Sequence, residues 1–175
     1  MPGLDASKIA VAGNSVGGDL TAALTLYAKD HPGAEAPAVS VQLLLFPALD
    51  SDVESQSYQD YAEGRFLARD FMKFGWDTYT PTDETRNDIY AAPLKASVAE
   101  LTGLPATVIL TAENDPLRDE GIAYGRKLGE AGVEVVSIEY IGLIHDWMLL
   151  NPIQGVPSVQ ASFRHAAAEL VHHLS

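Results

Sequence analysis

Residues 8–20 read Lys8-Ile9-Ala10-Val11-Ala12-Gly13-Asn14-Ser15-Val16-Gly17-Gly18-Asp19-Leu20, and this stretch constrains the fold more than any other. A short apolar run ends in Gly-x-Ser-x-Gly, and a helical pattern starts at once. Leu20, Ala23, Leu24 and Tyr27 recur at helical spacing and make one apolar face. Strand, tight turn and helix in so few residues present a serine on a sharp bend, the nucleophile elbow. The bend holds Ser15 in a strained backbone conformation. Gly13 and Gly17 then stand where a Cβ would collide with the neighbouring strand or helix. Ser15 falls at a helix N-terminus, where the backbone N–H of Val16 faces a developing oxyanion. The plainer alternative is a Gly-rich strand–helix turn with Ser15 as its N-cap.

The rest of the chain supplies the elements that such an elbow needs. A polar lead covers Met1 to Ser7. Ile9 to Ala12 reads as a buried strand and Gly17 to Ala28 as a helix, stopped by His31-Pro32-Gly33 and a loop of small residues. Val39 to Phe46 is a second strand, apolar through its latter half, as suits a parallel sheet buried on both faces. Asp50 to Tyr58 is loop-like. Ser97 to Leu104 reads as a short helix, and Ala106 to Ala112 as a third strand. Pro116 suits the N1 position of a helix over Leu117 to Ala131. Val133 to Tyr140 is a fourth strand and Ser158 to Leu174 the last helix. The expected fold class is therefore α/β, a parallel sheet of about four strands with flanking helices in one domain over 1–175.

Between the second and third strands lies an insert, about 56–85, that gathers half of the aromatic residues of a chain only 8% aromatic. Its portion from Asp70 to Trp76 has helical character. An aromatic stripe at helical spacing is ordinarily core. The functional alternative is a cap over a pocket for an apolar group, with Phe71, Phe74 and Trp76 in its wall.

In an open parallel sheet, ligands bind beyond the carboxyl ends of the strands. Ser15 follows the first strand, Asp115 the third and His145 the fourth. These residue types make a working set. A neutral serine hydroxyl is a poor nucleophile and needs an imidazole to take its proton. The imidazole needs a carboxylate on its other nitrogen to fix the tautomer and stabilise the charged form. Taken singly, Asp115 reads equally as a helix N-cap and His145 as a loop histidine. Asp50, Asp119 and Glu120 are rival acids, while His31, His165, His172 and His173 sit in or beside helices.

Three segments carry a family resemblance: Gly13-Asn14-Ser15-Val16-Gly17-Gly18, Asp115-Pro116-Leu117-Arg118-Asp119-Glu120-Gly121 and His145-Asp146-Trp147. They resemble the signatures of the hormone-sensitive-lipase-like (bacterial type IV) esterases of the α/β-hydrolase fold. Tyr90-Ala91-Ala92-Pro93-Leu94 and Met148-Leu149-Leu150-Asn151 are similar to the same family. The family usually has Asp where Asn14 stands and Ala where Val16 stands. It also carries a His-Gly-Gly-Gly-type motif well before the nucleophile, and this sequence contains none. The resemblance is therefore to the C-terminal half of the fold. It implies hydrolysis of short-chain acyl esters through Ser15, His145 and Asp115, with Val16 N–H as one oxyanion donor and no metal or organic cofactor. Phe71, Phe74, Trp76 and Trp147 are the expected substrate-binding residues.

Charge and composition limit the partners. The formal net charge of −13 disfavours nucleic acid and anionic membranes. The absence of cysteine excludes disulfides and Cys-ligated metals. No signal peptide or membrane-length apolar run is visible, so a cytoplasmic location is expected. The first strand, without a neighbour before it, is expected to pair with a second copy or a complementing chain. Two alternatives to an active enzyme follow from the same absence: an inactive, N-terminally truncated interaction module, or one chain of a two-chain hydrolase.

Overall fold

Runs of apolar residues with no polar face have to be covered on both sides. The two middle strands of the sheet meet this demand, whereas Ile9 to Ala12, expected as a buried strand, lies at an edge and has no fully buried residue. The computed structural model describes Asp5, residues 7–33 and residues 38–175. Most of the polar lead and the small-residue loop at 34–37 lie outside the described residues. Strands β1 (Ile9–Asn14), β2 (Val39–Leu45), β3 (Ala106–Asn114) and β4 (Val135–Ile144) pair in that order, all parallel. Successive residues of β2 alternate between two cores. Leu43 packs with Val108, Leu110, Val159 and Ala166 on the side of helix α7 (Pro157–Leu174). Leu44 packs with Ala22, Leu26, Tyr124 and Leu128, on the side of α1 (Val16–Asp30) and α6 (Arg118–Glu130). Each fully buried Leu or Ile contributes roughly 1.5–3 kcal/mol. The one buried polar side chain of β2, Gln42, is held at both ends. It accepts from Thr25 Oγ1 and donates to Thr107 Oγ1, each at 2.8 Å, so its burial leaves no amide atom without a partner.

The connection from β2 to β3 carries α2 (Gln56–Asp60), α3 (Arg69–Tyr79), α4 (Asp83–Arg86), a 3-10 turn at Pro93–Lys95 and α5 (Val98–Leu101). Two of these open with reciprocal caps, Thr82 with Thr85 and Ser97 with Glu100. Helix α5 is shorter than the expected Ser97–Leu104 because Thr102 and Gly103 leave helical geometry, Gly103 at φ +83°. Helix α2 falls at the end of a stretch expected as loop. Helix α6 starts two residues after Pro116, because Pro116 and Leu117 form the turn that carries Asp115.

Helix α1 departs from the sequence expectation in which side it buries. Its packed face is Gly18, Asp19, Thr21, Ala22, Ala23, Thr25 and Leu26. Leu20, Leu24 and Tyr27 each stay about half exposed and form an outward stripe with Val16. Small residues let the helix lie close on β1 and β2, and of its large apolar residues Leu26 alone is buried there. Strand β1 pairs with β2 alone and has no second neighbour among the described residues.

Candidate active site

Ser15 sits between β1 and α1 at φ 52°, ψ −121°. A non-glycine residue at positive φ costs on the order of 1–3 kcal/mol unless its surroundings fix it. Here its N–H donates to Leu45 O at 2.9 Å. Its carbonyl accepts from Gly18 N–H at 2.9 Å and Ala48 N–H at 3.1 Å. The glycines explain how close the chain comes to itself. A Cβ on Gly13 would stand 1.9 Å from Gly17 O. A Cβ on Gly18 would stand 2.6 Å from Pro47 Cβ. Gly17 corrects the sequence reading: its nearest neighbour would be Asn14 Oδ1 at 3.8 Å, an ordinary contact. The close approach belongs to Gly18, because α1 leans on the turn after β2.

Asp115 follows β3 and is buried. Its Oδ1 accepts from Leu117 N–H at 2.9 Å, and its Oδ2 lies 2.8 Å from His145 Nδ1. It is therefore both a local turn cap and a partner for the imidazole. Ser57 Oγ donates to Pro116 O at 2.6 Å and ties α2 to the same turn. His145 follows β4 directly, and its Nε2 lies 3.0 Å from Ser15 Oγ. Its ring packs edge-on to Phe46 at 5.0 Å between centroids. An ionised Asp115 only accepts hydrogen bonds. It draws the imidazole proton to Nδ1 and leaves Nε2 free to accept from the Ser15 hydroxyl. Ser15 makes no side-chain cap bond to α1, contrary to the N-cap alternative. Val16 is the first residue of α1, so its N–H has no intrahelical acceptor.

The rival groups are engaged elsewhere. Asp50 pairs with Lys95 at 2.8 Å, and Asp119 with Arg118 at 2.9 Å. His31 Nδ1 lies 2.9 Å from Tyr27 O, and His165 Nδ1 lies 2.6 Å from Tyr140 OH.

A cavity of about 590 Å³ opens at Ser15 and His145. Phe71 and Trp76 line it, together with Phe66, Leu67, Met72 and Tyr79 of the same insert. The insert serves core and cavity at once: Tyr58, Leu67 and Trp76 also pack in a cluster with Leu117 beneath it. Two expected substrate-binding residues are not in the wall. Phe74 lies on α3, 67% exposed, and is not among the lining residues. Trp147 is fully buried between Phe46 and Tyr140, and its Nε1–H donates to Ser162 Oγ at 2.9 Å. It supports the His145 turn from behind, through Phe46.

Asp19 is a lining residue that the sequence reading missed. It is 1% exposed, and burial raises its pKa to about 8. Neither carboxyl oxygen has a hydrogen-bond partner among the described residues. The available signal was an acid four residues after Ser15 among small residues, on the face that packs inward. Glu120, whose Oε1 accepts from Leu49 N–H at 2.9 Å, is likewise pushed well above the usual carboxylate range by burial. Away from the cavity, Glu134, His172 and His173 bring one donor atom each within 4.8 Å of one another, as a metal could use. Among the described residues no helix is long and apolar enough to cross a membrane.

A family model described as alpha/beta hydrolase fold matches residues 2–149. The chain is 35% identical to an ethyl acetate hydrolase of Pseudomonas putida over 151 residues, 86% of this chain and 46% of that protein. It is 35% identical to the carboxylesterase NlhH of Mycobacterium tuberculosis over 147 residues, 83% of this chain and 45% of that protein. The crystal structure of a thermostable esterase from Pseudomonas putida superposes with a TM-score of 0.90 at 51% identity, covering 95% of this chain and 51% of that one. The chain thus spans about half the length of the relatives it matches. Sequence and fold agree that it belongs to the hormone-sensitive-lipase-like family of α/β hydrolases.

Proposed function

We propose that this chain is a serine carboxylic-ester hydrolase, with Ser15 as nucleophile, His145 as general base and acid, and Asp115 as its orienting carboxylate. The observation that carries the reading is the unbroken relay from Ser15 Oγ through His145 to Asp115, at 3.0 and 2.8 Å. The names of its relatives, ethyl acetate hydrolase and carboxylesterase, support the reaction class.

In the reaction, Ser15 Oγ attacks the acyl carbonyl while its proton passes to His145 Nε2. Val16 N–H donates to the oxyanion that forms. Collapse of the tetrahedral intermediate breaks the ester bond, and the leaving alkoxide takes the proton from Nε2. Water then attacks the acyl-enzyme with His145 again as base, releasing the carboxylic acid and restoring the Ser15 hydroxyl. Asp115 stabilises the imidazolium at each transfer. The relay uses no metal and no organic cofactor. Residues 56–85 act as a cap whose aromatic wall receives the apolar part of a short-chain ester. The test is hydrolysis of p-nitrophenyl acetate by wild type and by Ser15→Ala. Loss of the rate in the variant supports the reading, and equal rates refute it.

A separate observation favours a role for a second chain. Among the described residues β1 pairs with β2 alone, and α1, which packs on both strands, carries the outward stripe of Leu20, Leu24 and Tyr27. An open apolar strand edge is a template for pairing. We infer that a second copy or a complementing chain covers this face.

A further inference from the structure

Asp19 lies one helical turn beyond Ser15, and its N–H donates to Ser15 O at 3.2 Å. It borders the same cavity, yet both of its carboxyl oxygens are buried without a partner. A carboxyl group so placed is unfavourable in its charged form unless a cation meets it. Among the described residues no cation meets it, since neither oxygen has a hydrogen-bond or ion-pair partner. The lining residues include no Lys or Arg, and burial is the sole cause of the shift in Asp19. The other titratable groups that sense Asp19 are Tyr79, Tyr124 and Glu120, none of them cationic. Aromatic rings stand in the same wall: Phe66, Phe71, Trp76 and Tyr79. Ring faces attract cations, and Trp does so most strongly. A buried acid beside four aromatic rings is the chemistry that recognises an ammonium group.

We propose that Asp19 and the aromatic wall form a subsite for a protonated amine on the substrate, so that the site prefers esters of amino alcohols to their carbon isosteres. This rests on the reading of Ser15 as the nucleophile. Asp19 stands in the first turn of α1, which starts immediately after Ser15, so a short, two-carbon linker between ester oxygen and amine nitrogen is the one to test. The proton balance closes in either order. A neutral amine takes the Asp19 proton, or an ammonium ion binds while Asp19 releases its proton to water. Both end in the same ion pair.

The test compares dimethylaminoethyl acetate with isoamyl acetate, which replaces the amine nitrogen by a carbon of the same shape. In wild type, kcat/KM favours the amine ester by about tenfold or more, the scale of one charge-assisted hydrogen bond to Asp19. In Asp19→Asn that bond is lost and the ratio falls by about tenfold, while the aromatic wall remains. A wild-type ratio at or below one overturns the proposal, as does a preference that Asp19→Asn retains in full. Calorimetry with dimethylethanolamine on Ser15→Ala protein reads the subsite without turnover. Binding that exceeds that of isoamyl alcohol and disappears in Ser15→Ala/Asp19→Asn supports the proposal, and equal binding of the two alcohols overturns it. If neither ester is hydrolysed, the nucleophile reading fails, and the calorimetry alone decides the subsite.

Discussion

His145 Nε2 meets Ser15 Oγ at 3.0 Å across 130 residues of sequence. The contact exists because β1 and β4, at opposite edges of one parallel sheet, end on the same side of it. On the proposed mechanism, substitution acts on turnover and leaves binding of the ester in place. Ser15→Ala and His145→Ala are expected to lower kcat by about 10⁴-fold or more, and Asp115→Asn by about 10⁴-fold. Steady-state kinetics on p-nitrophenyl acetate check this, with KM expected to change far less than kcat.

Gly18 and Gly17 are expected to respond differently to alanine. The Gly18 methyl would overlap Pro47, a rigid neighbour, so Gly18→Ala is expected to destabilise the fold by roughly 1–3 kcal/mol. Gly17→Ala makes only an ordinary contact, with Asn14 Oδ1, inside a helix and is expected to stay within about 1 kcal/mol of wild type. Urea unfolding of both variants measures the contrast.

Asp19 links stability to pH. Its pKa rises from 3.8 to about 8 on folding. Between those values the folded protein keeps a proton that the unfolded chain has released, so stability falls as pH rises. The contribution is fully present below pH 3.8 and lost by about pH 8. Glu120 shifts in the same direction. Unfolding free energies across this window are expected to decline with pH in wild type and to decline less in Asp19→Asn.

Trp147 and Phe71 separate support from recognition. Trp147→Phe removes the bond to Ser162 and is expected to cost about 1 kcal/mol of stability, with the ratio of acetate to butyrate hydrolysis unchanged. Phe71→Ala opens the cavity wall and is expected to shift that ratio while stability changes little. Thermal melting and paired ester kinetics distinguish the two.

The free edge of β1 and the α1 stripe predict association. Wild type is expected to sediment as more than a monomer at micromolar concentration, or with a copurifying chain. Leu24→Lys on the stripe is expected to weaken that association. A monomeric wild type would count against the interface.

Much of this was legible in the residues, for identifiable reasons. Ser15, Asp115 and His145 each follow a strand of one parallel sheet, so their common side followed from topology. Of the three strands only β3 is buried, whereas β1 and β4, as edge strands, are largely half-buried or exposed. The buried side of α1 was not legible, because periodicity marks an apolar face without saying what covers it. Gly17 was named in place of Gly18 because the motif gives spacing, while the clash depends on Pro47, about 30 residues away in sequence. Phe74 and Trp147 were misplaced for a related reason. Aromatic content locates a segment near an apolar surface, but the helix phase of α3 and the turn after His145 decide which rings face the cavity. An acid four residues after Ser15 among small residues is a weak signal for Asp19, because which side of α1 packs inward is set by the sheet and not by the local sequence.

The most direct test of the account is covalent labelling of the folded protein with a fluorophosphonate, followed by peptide mass spectrometry. The mechanism predicts one adduct, on Ser15, that is abolished in Ser15→Ala and strongly slowed in His145→Ala. Folded protein that takes no label, or takes it at another residue with equal speed in Ser15→Ala, would contradict it.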